Sequence, residues 1–200
     1  MTEAAKTVSV LTVLIIRHGE KPDPDHPHRP PGLTSDGVED KHSLLIRGWQ
    51  RAGAWAALFG AKLGGDDFPE PAVVYAANPD QEGAPHGKRA SETVLPLCDR
   101  LHITPITKFG VNQESDLVKE VQGLTGVVLI SWEHKRIVEG ILPELTKGQN
   151  LPHLPTKWHG TRFDVVLRLD RVQAGAQWSF RQLSPRLLAG DTDLPVSESD

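Results

Sequence analysis

One cysteine, Cys98, is all that 200 residues contain. No disulfide can form within the chain, and that favours a reducing compartment. Long hydrophobic runs are also missing. The stretch 8–16 is apolar but far short of the roughly 20 residues that cross a bilayer, and it runs directly into Arg17-His18 instead of a signal-peptide cleavage site. A cytoplasmic protein without a membrane partner is expected. Basic residues are not in excess: 22 Lys and Arg face 26 Asp and Glu, a net charge of -4. A global nucleic-acid surface is therefore excluded, although a local anion site needs only a few cations.

Several chemistries lack their residues. No glycine loop ends in Lys-Ser/Thr, so a P-loop nucleotidase is excluded. No HExxH or Cys/His cluster is present, so no metal or other cofactor is expected. His26 and His28 share a Pro/Asp-rich loop and read as solvated histidines. Cys98 is not followed at the right spacing by the arginine of a cysteine phosphatase loop, and it is read as a packing residue.

What the chain does have is alternation. The segment 8–16 is rich in Val, Ile and Leu and reads as a strand buried on both faces. A second strand is predicted over 72–76, a third over 103–109 and another very apolar one over 126–132. Strands over 162–169 and 177–183 are predicted to close the sheet. Helices are predicted over 45–63, 89–101 (kinked at Pro96), 114–124 and from 133 to about 145. Long loops rich in Pro, Gly and polar residues occupy 21–41, 78–88 and 147–160. Trp49, Trp55 and Trp132 read as core, whereas Trp158 either seals a sheet edge or lines a pocket. Strands alternating with helices predict an α/β fold: a three-layer α/β/α sandwich with a mostly parallel central sheet. One domain over 8–188 is expected, with polar termini at 1–7 and 189–200, the latter acidic and loose.

Two apolar strands each end in a histidine-bearing segment. Val13-Leu14-Ile15-Ile16 leads into Arg17-His18-Gly19-Glu20, and Val128-Leu129-Ile130-Ser131-Trp132 leads into Glu133-His134. In open α/β sheets ligands bind beyond the carboxyl ends of the strands. If the strands are neighbours, His18 and His134 meet there, and Gly19 lets the backbone turn tightly toward a ligand. Arg89 follows the second strand, in the run Arg89-Ala90-Ser91-Glu92-Thr93.

These motifs resemble the histidine phosphatase (phosphoglycerate mutase-like) superfamily, in its small branch without a large cap domain. Arg17-His18-Gly19-Glu20 after an apolar first strand resembles its signature, and Arg89 with Thr93 its second motif. The segment Leu45-Ile46-Arg47-Gly48-Trp49-Gln50-Arg51-Ala52 resembles its first helix start, and His134 its second histidine. The matches run in the family's order over about 8–145. Two positions depart: Gly87 stands where serine is usual, and Lys135 follows His134 where glycine is usual.

The resemblance implies a metal-independent phosphatase with a phosphohistidine intermediate on His18. The substrate is expected to be a phosphorylated small molecule or a phosphopeptide. Phosphoryl transfer loads charge onto three oxygens, so catalysis is mainly positioning and charge stabilisation. Arg17 and Arg89 suit the phosphate, since guanidinium binds it as a fork. One ring nitrogen of His18 must be unprotonated, and the Gly19 carbonyl is a candidate acceptor for the other. His134 adds hydrogen bonds, and charge if protonated. A carboxylic acid should protonate the leaving group; Glu114 is favoured, with Asp116 and Glu133 as rivals. Glu20 and Lys21 either line the pocket mouth or form a surface ion pair. A mutase and a noncatalytic phospho-ligand binder are the alternatives, and oligomeric state is not legible.

Overall fold

The computed structural model describes residues 11–23, 30–81 and 86–196. The expected leader 1–7 and the loop histidines His26 and His28 lie outside them. β1 (Leu11–Arg17) is followed by α1 (Ile46–Gly60) and β2 (Val73–Ala76). Next come α2 (His86–Leu101), α3 (Glu114–Val121) and β3 (Gly126–Trp132). A composite helix follows: α4 (His134–Arg136), a π-helical turn (Ile137–Ile141) and α5 (Leu142–Leu145). β4 (Val166–Arg171) and β5 (Ser179–Leu183) close the sheet.

The sheet order is β2-β3-β1-β4-β5. β1 and β2 both run parallel to β3, while β4 lies antiparallel to β1 and to β5. Four of the five strands therefore point the same way, as the three-layer expectation required. Every residue of β1 is buried, which is what a central strand covered by helices on both faces demands. α1 packs on α2, and α2 on β2 and β3. α3 serves the face carrying Tyr75 and Trp132, holding the first through Glu120 and the second through Glu114.

β1 and β3 are neighbours with Arg17 opposite Trp132. The ladder continues one step, because the His18 amide donates to the Trp132 carbonyl at 3.0 Å. The chain leaves β1 toward β2 on one side and leaves β3 toward β4 on the other. Ligand crevices form at such reversals.

Four expectations change. The segment 103–109 forms no strand; it touches the sheet only through Ile106, which exchanges backbone hydrogen bonds with Val74 and Ala76, and through Phe109. Pro105 beside Ile106 removes a donor that a ladder would need. The strand predicted from 162 begins at Val166, because 159–164 is an irregular loop with another use. The stretch 190–196 is not loose: Asp191 pairs with Arg51, and Val196 is buried to 1% exposure. The helix around Pro96 also starts earlier than expected, at His86.

Candidate active site

The first motif is built by close backbone packing. A Cβ on Gly19 would lie 2.9 Å from the Gly48 carbonyl oxygen, and one on Gly48 would lie 2.5 Å from the Glu20 carbonyl oxygen. Bare backbone on both sides is what lets the start of α1 press against the loop after β1. The Leu45 amide donates to the Glu20 carbonyl in the same contact. The second motif joins in from α2. The Gly19 amide donates to Thr93 Oγ1 at 2.7 Å, and that hydroxyl donates to the Arg89 carbonyl at 2.7 Å. Glu92 accepts from Ser43 Oγ and the Leu44 amide, fixing the approach to α1. Gly87 is required by crowding: a Cβ there would stand 1.8 Å from the Asn78 carbonyl oxygen.

His18 is 1% exposed. Its Nδ1 hydrogen bonds to the Gly19 carbonyl at 2.8 Å. A carbonyl only accepts, so Nδ1 carries the proton and Nε2 holds the lone pair. Burial, then the charge of Arg17 and further the charge of Arg89, push the imidazole well below the ordinary histidine range, against the Gly19 bond and Glu133. The ring is thus a neutral base with a defined tautomer at neutral pH.

Arg17 is fully buried. Its Nη1 donates to three carbonyls, those of His159 (3.3 Å), Gly160 (2.8 Å) and Arg162 (2.8 Å). Its guanidinium carbon lies 3.8 Å from the Phe163 ring centre. Nε and Nη2, the side-on fork, are buried without a hydrogen-bond partner. Burial lowers the group to about 10, with Glu133 and Glu20 opposing and Arg89 assisting, so it stays cationic at neutral pH. Arg89 Nη2 donates to the Lys41 carbonyl, while its buried Nε lacks a partner. Unpaired buried donors are costly, and an anion is the kind of acceptor such guanidinium nitrogens take.

Glu133 and His134 follow β3 directly. His134 Nδ1 stands 2.6 Å from Glu133 Oε1, in charge contact but outside hydrogen-bond alignment. Burial works against the Glu133 anion, yet His134 and the Arg136 and Lys135 amides outweigh it and hold the carboxyl at about 2. Arg17 and His134 line one cavity of about 630 Å³, together with Lys21, Lys135, Phe163 and the segment 190–192.

No family model matches the sequence. No curated protein matches it either. Solved structures do. The protein histidine phosphatase SixA, complexed with tungstate, superposes with a TM-score of 0.52 at 17% identity, covering 87% of this chain and 97% of its own. Ecdysone phosphate phosphatase from Bombix mori, also with tungstate, matches at 0.47 and 12% identity, over 92% and 95%. Phosphoglycerate mutase from Bacillus anthracis matches at 0.47 and 15%, over 90% and 94%. The chain has the histidine phosphatase fold.

Within this histidine phosphatase fold, Glu114, expected as the general acid, accepts from two donors. It opens α3, and its Oε1 accepts from Trp132 Nε1 at 3.0 Å and the Asn112 amide at 3.1 Å. Like His18 and Arg89, it is not among the residues that line this cavity. The reason is local: a buried indole N–H needs an acceptor, and Glu114 is the one it finds. Asp116 is exposed and faces a separate cleft with Lys119 and Gln122. Glu20 is in the wall, but its carboxylate is held by Arg51 at 2.8 Å and Arg47 at 3.2 Å. That resolves its ambiguity as both an ion pair and a wall residue.

Sequence reasoning missed several groups. Arg47 and Arg51 were legible only as helix residues, yet they pair Glu20 with Asp191, 171 positions apart. Phe163 and the carbonyls of 159–162 carry no motif. Lys135 lines the cavity too, and as the departure after His134 it was the one visible signal among these. Lys21, expected at the pocket mouth or in a surface ion pair, is in the cavity wall. Burial and repulsion by Arg89 and Arg17 lower the Lys21 ammonium, which marks how near it stands to the two guanidiniums. Trp158 turns out to do two jobs: it is buried, and it also lines a second cleft of about 440 Å³ that shares His134 and Lys135.

Proposed function

We propose that the protein is a metal-independent phosphatase that passes the phosphoryl group of a monoester or related phospho-compound through His18. The observation that carries this reading is the His18 imidazole. Its proton is fixed on Nδ1 by Gly19, its Nε2 is free, and unpaired nitrogens of two guanidiniums stand in the same charge cluster.

In the first step the Nε2 lone pair attacks phosphorus, and the bond from phosphorus to the leaving group breaks. The Nε–Nη2 fork of Arg17 and the Nε of Arg89 hold the equatorial oxygens as charge builds on them. His134, beside Glu133, adds a donor. In the second step water attacks phosphorus, the P–N bond breaks and inorganic phosphate leaves. The neutral imidazole is restored with its proton still on Nδ1.

The leaving group is the discriminating part. Glu133 is an anion at neutral pH, Glu114 serves Trp132, and Asp116 faces another cleft. In the cavity wall Glu20, Asp164 and Asp191 are committed to arginines, and Asp23 stands near Lys21. Leaving groups that depart without a strong acid, such as aryl oxygens or the nitrogen of a phosphoramidate, place the least demand on these carboxylates. The name of SixA, a protein histidine phosphatase, points the same way for a phosphopeptide substrate. A cytoplasmic setting agrees with the buried Cys98, whose thiol burial raises to about 12.

Incubation with an aryl phosphate and with a phosphoramidate tests the reading. Release of phosphate by the protein and its loss in His18→Ala are expected, with an acid-labile phosphoenzyme trapped on the wild type. Equal hydrolysis by His18→Ala would remove the nucleophile assignment. Binding without turnover would make the protein a noncatalytic phospho-ligand binder. Lys21 and Lys135 supply the extra cations a mutase would use for a second anionic group; product analysis with a phosphoglycerate separates isomerisation from hydrolysis.

A further inference from the structure

The fork of Arg17 can face an anion only if its other side is fixed. Nη1 is fixed by backbone, through the carbonyls of His159, Gly160 and Arg162. These belong to an irregular loop, which has no sheet ladder to hold it. The loop is held instead by Arg162. Its own carbonyl accepts from Trp158 Nε1 at 3.0 Å as well as from Arg17. Its amide donates to the His159 carbonyl at 3.1 Å. Its side chain reaches the other way. Nε donates to Asp164 Oδ1 at 2.7 Å, Nη2 to the Leu194 carbonyl at 2.6 Å and Nη1 to the Pro195 carbonyl at 3.3 Å.

The stretch beyond residue 190 is itself anchored at three other points. The Thr192 amide donates to Asp164 Oδ2 at 2.9 Å. The Val196 amide donates to Gln182 Oε1 at 2.8 Å, and the Val196 side chain is buried. Asp191 Oδ1 accepts from Arg51 at 2.8 Å. A continuous set of polar contacts therefore runs from the last described residues, through the Arg162 side chain, to the backbone oxygens that orient Arg17.

We propose that Arg162 is a positioning residue for phosphate binding, relaying the docking of the C-terminal segment 191–196 to the guanidinium of Arg17. This rests on Arg17 being the phosphate ligand. Arg162 is in the cavity wall, but its three guanidinium nitrogens are taken by Asp164 and the Leu194 and Pro195 carbonyls, so its role is indirect: its side chain sets the loop, the loop oxygens set Nη1, and Nη1 sets the direction of the Nε–Nη2 fork. A loosened loop lets the fork wander, and misplacing a binding group by about an ångström is enough to cost tenfold or more.

The test measures dissociation constants for inorganic phosphate and tungstate in the full chain and in Arg162→Ala, Arg162→Lys and Val196→Ala, alongside thermal midpoints. A dissociation constant is read on folded protein, so a purely structural role would lower the midpoint without moving it. Arg162→Ala is expected to weaken both anions by about tenfold. Arg162→Lys, which keeps a cation for Asp164 and the Leu194 carbonyl, should recover part of this. Val196→Ala should weaken the anions in the same direction from a site outside the cavity wall. Should Arg162→Ala not fold, the lysine and Val196 variants carry the comparison. Unchanged anion binding in the folded variants overturns the relay, and so does a wild type that binds neither anion. A wild type that binds tungstate but turns over no phospho-compound overturns the phosphatase reading and leaves the relay standing.

Discussion

The Gly19 amide and the Thr93 hydroxyl are joined at 2.7 Å across 74 residues of chain. Through this bond the loop that carries His18 hangs from the helix that carries Arg89, since the hydroxyl also donates to the Arg89 carbonyl. Thr93 is fully buried. Thr93→Val keeps the shape and leaves the Gly19 N–H without an acceptor, a loss of about 1–3 kcal/mol. A lowered thermal midpoint and weaker phosphate binding are expected together, read by calorimetry and phosphate titration. A change in the midpoint alone would mean that the two motifs do not depend on this bond for their alignment.

Arg17 should be the most sensitive phosphate ligand. Arg17→Lys keeps a charge but loses the fork. A fall of roughly 10²–10³ in kcat/KM toward an aryl phosphate is expected, the scale of removing one preorganised donor set. Near-wild-type kinetics in that variant would contradict the bidentate role.

The pH dependence follows from the direction of the His18 shift. Its folded pKa lies well below the ordinary histidine value of 6.5. Between the two, the unfolded chain binds a proton that the folded chain does not, so stability rises with pH through that window. The contribution is complete above 6.5 and is lost as pH falls toward the folded value. Glu133, held at about 2 against an ordinary 4.5, adds stability above 4.5 that is lost between 4.5 and 2. Denaturant titrations from pH 7 to 4 should show His18→Ala flattening the upper part of this fall. The acid limb of kcat/KM should likewise carry no His18 ionisation near 6.5 once the ionisation of the substrate phosphate is subtracted.

Glu114→Gln separates a structural carboxylate from a proton donor. The amide oxygen still accepts from Trp132 Nε1, so turnover of alkyl and aryl phosphates should fall by less than about threefold. Loss of alkyl phosphate turnover alone, measured by phosphate release, would restore Glu114 as the acid.

Much of the architecture was written in strand ends. Val13–Ile16 and Val128–Trp132 are apolar enough to be central strands, and each stops at a histidine segment; adjacency of β1 and β3 then brings the segments to one edge. The tautomer of His18 was legible too, because the next peptide carbonyl is the acceptor within reach. Glu114 was not, since nothing in a sequence says that a neighbouring indole will claim it. Arg162 and Asp191 escaped for a different reason. Their roles depend on loop oxygens and on a chain end whose acidic composition reads as solvated, and backbone acceptors leave no residue-type pattern. The 103–109 segment misled because its β-branched content resembles a strand while Pro105 limits its pairing.

The π-helical turn Ile137–Ile141 has a consequence for how this chain tolerates length changes. One residue more than an α-turn rotates everything upstream by about 100° relative to everything downstream. His134 and Lys135 stand upstream, at the cavity; Leu142 and Leu145 stand downstream, in the core. The extra residue works as a phase adjuster, so imidazole and apolar stripe each keep the bearing they need. Excising Glu139 would regularise the helix and force a choice between them, with either the ring swung off the cavity or two leucines turned toward water.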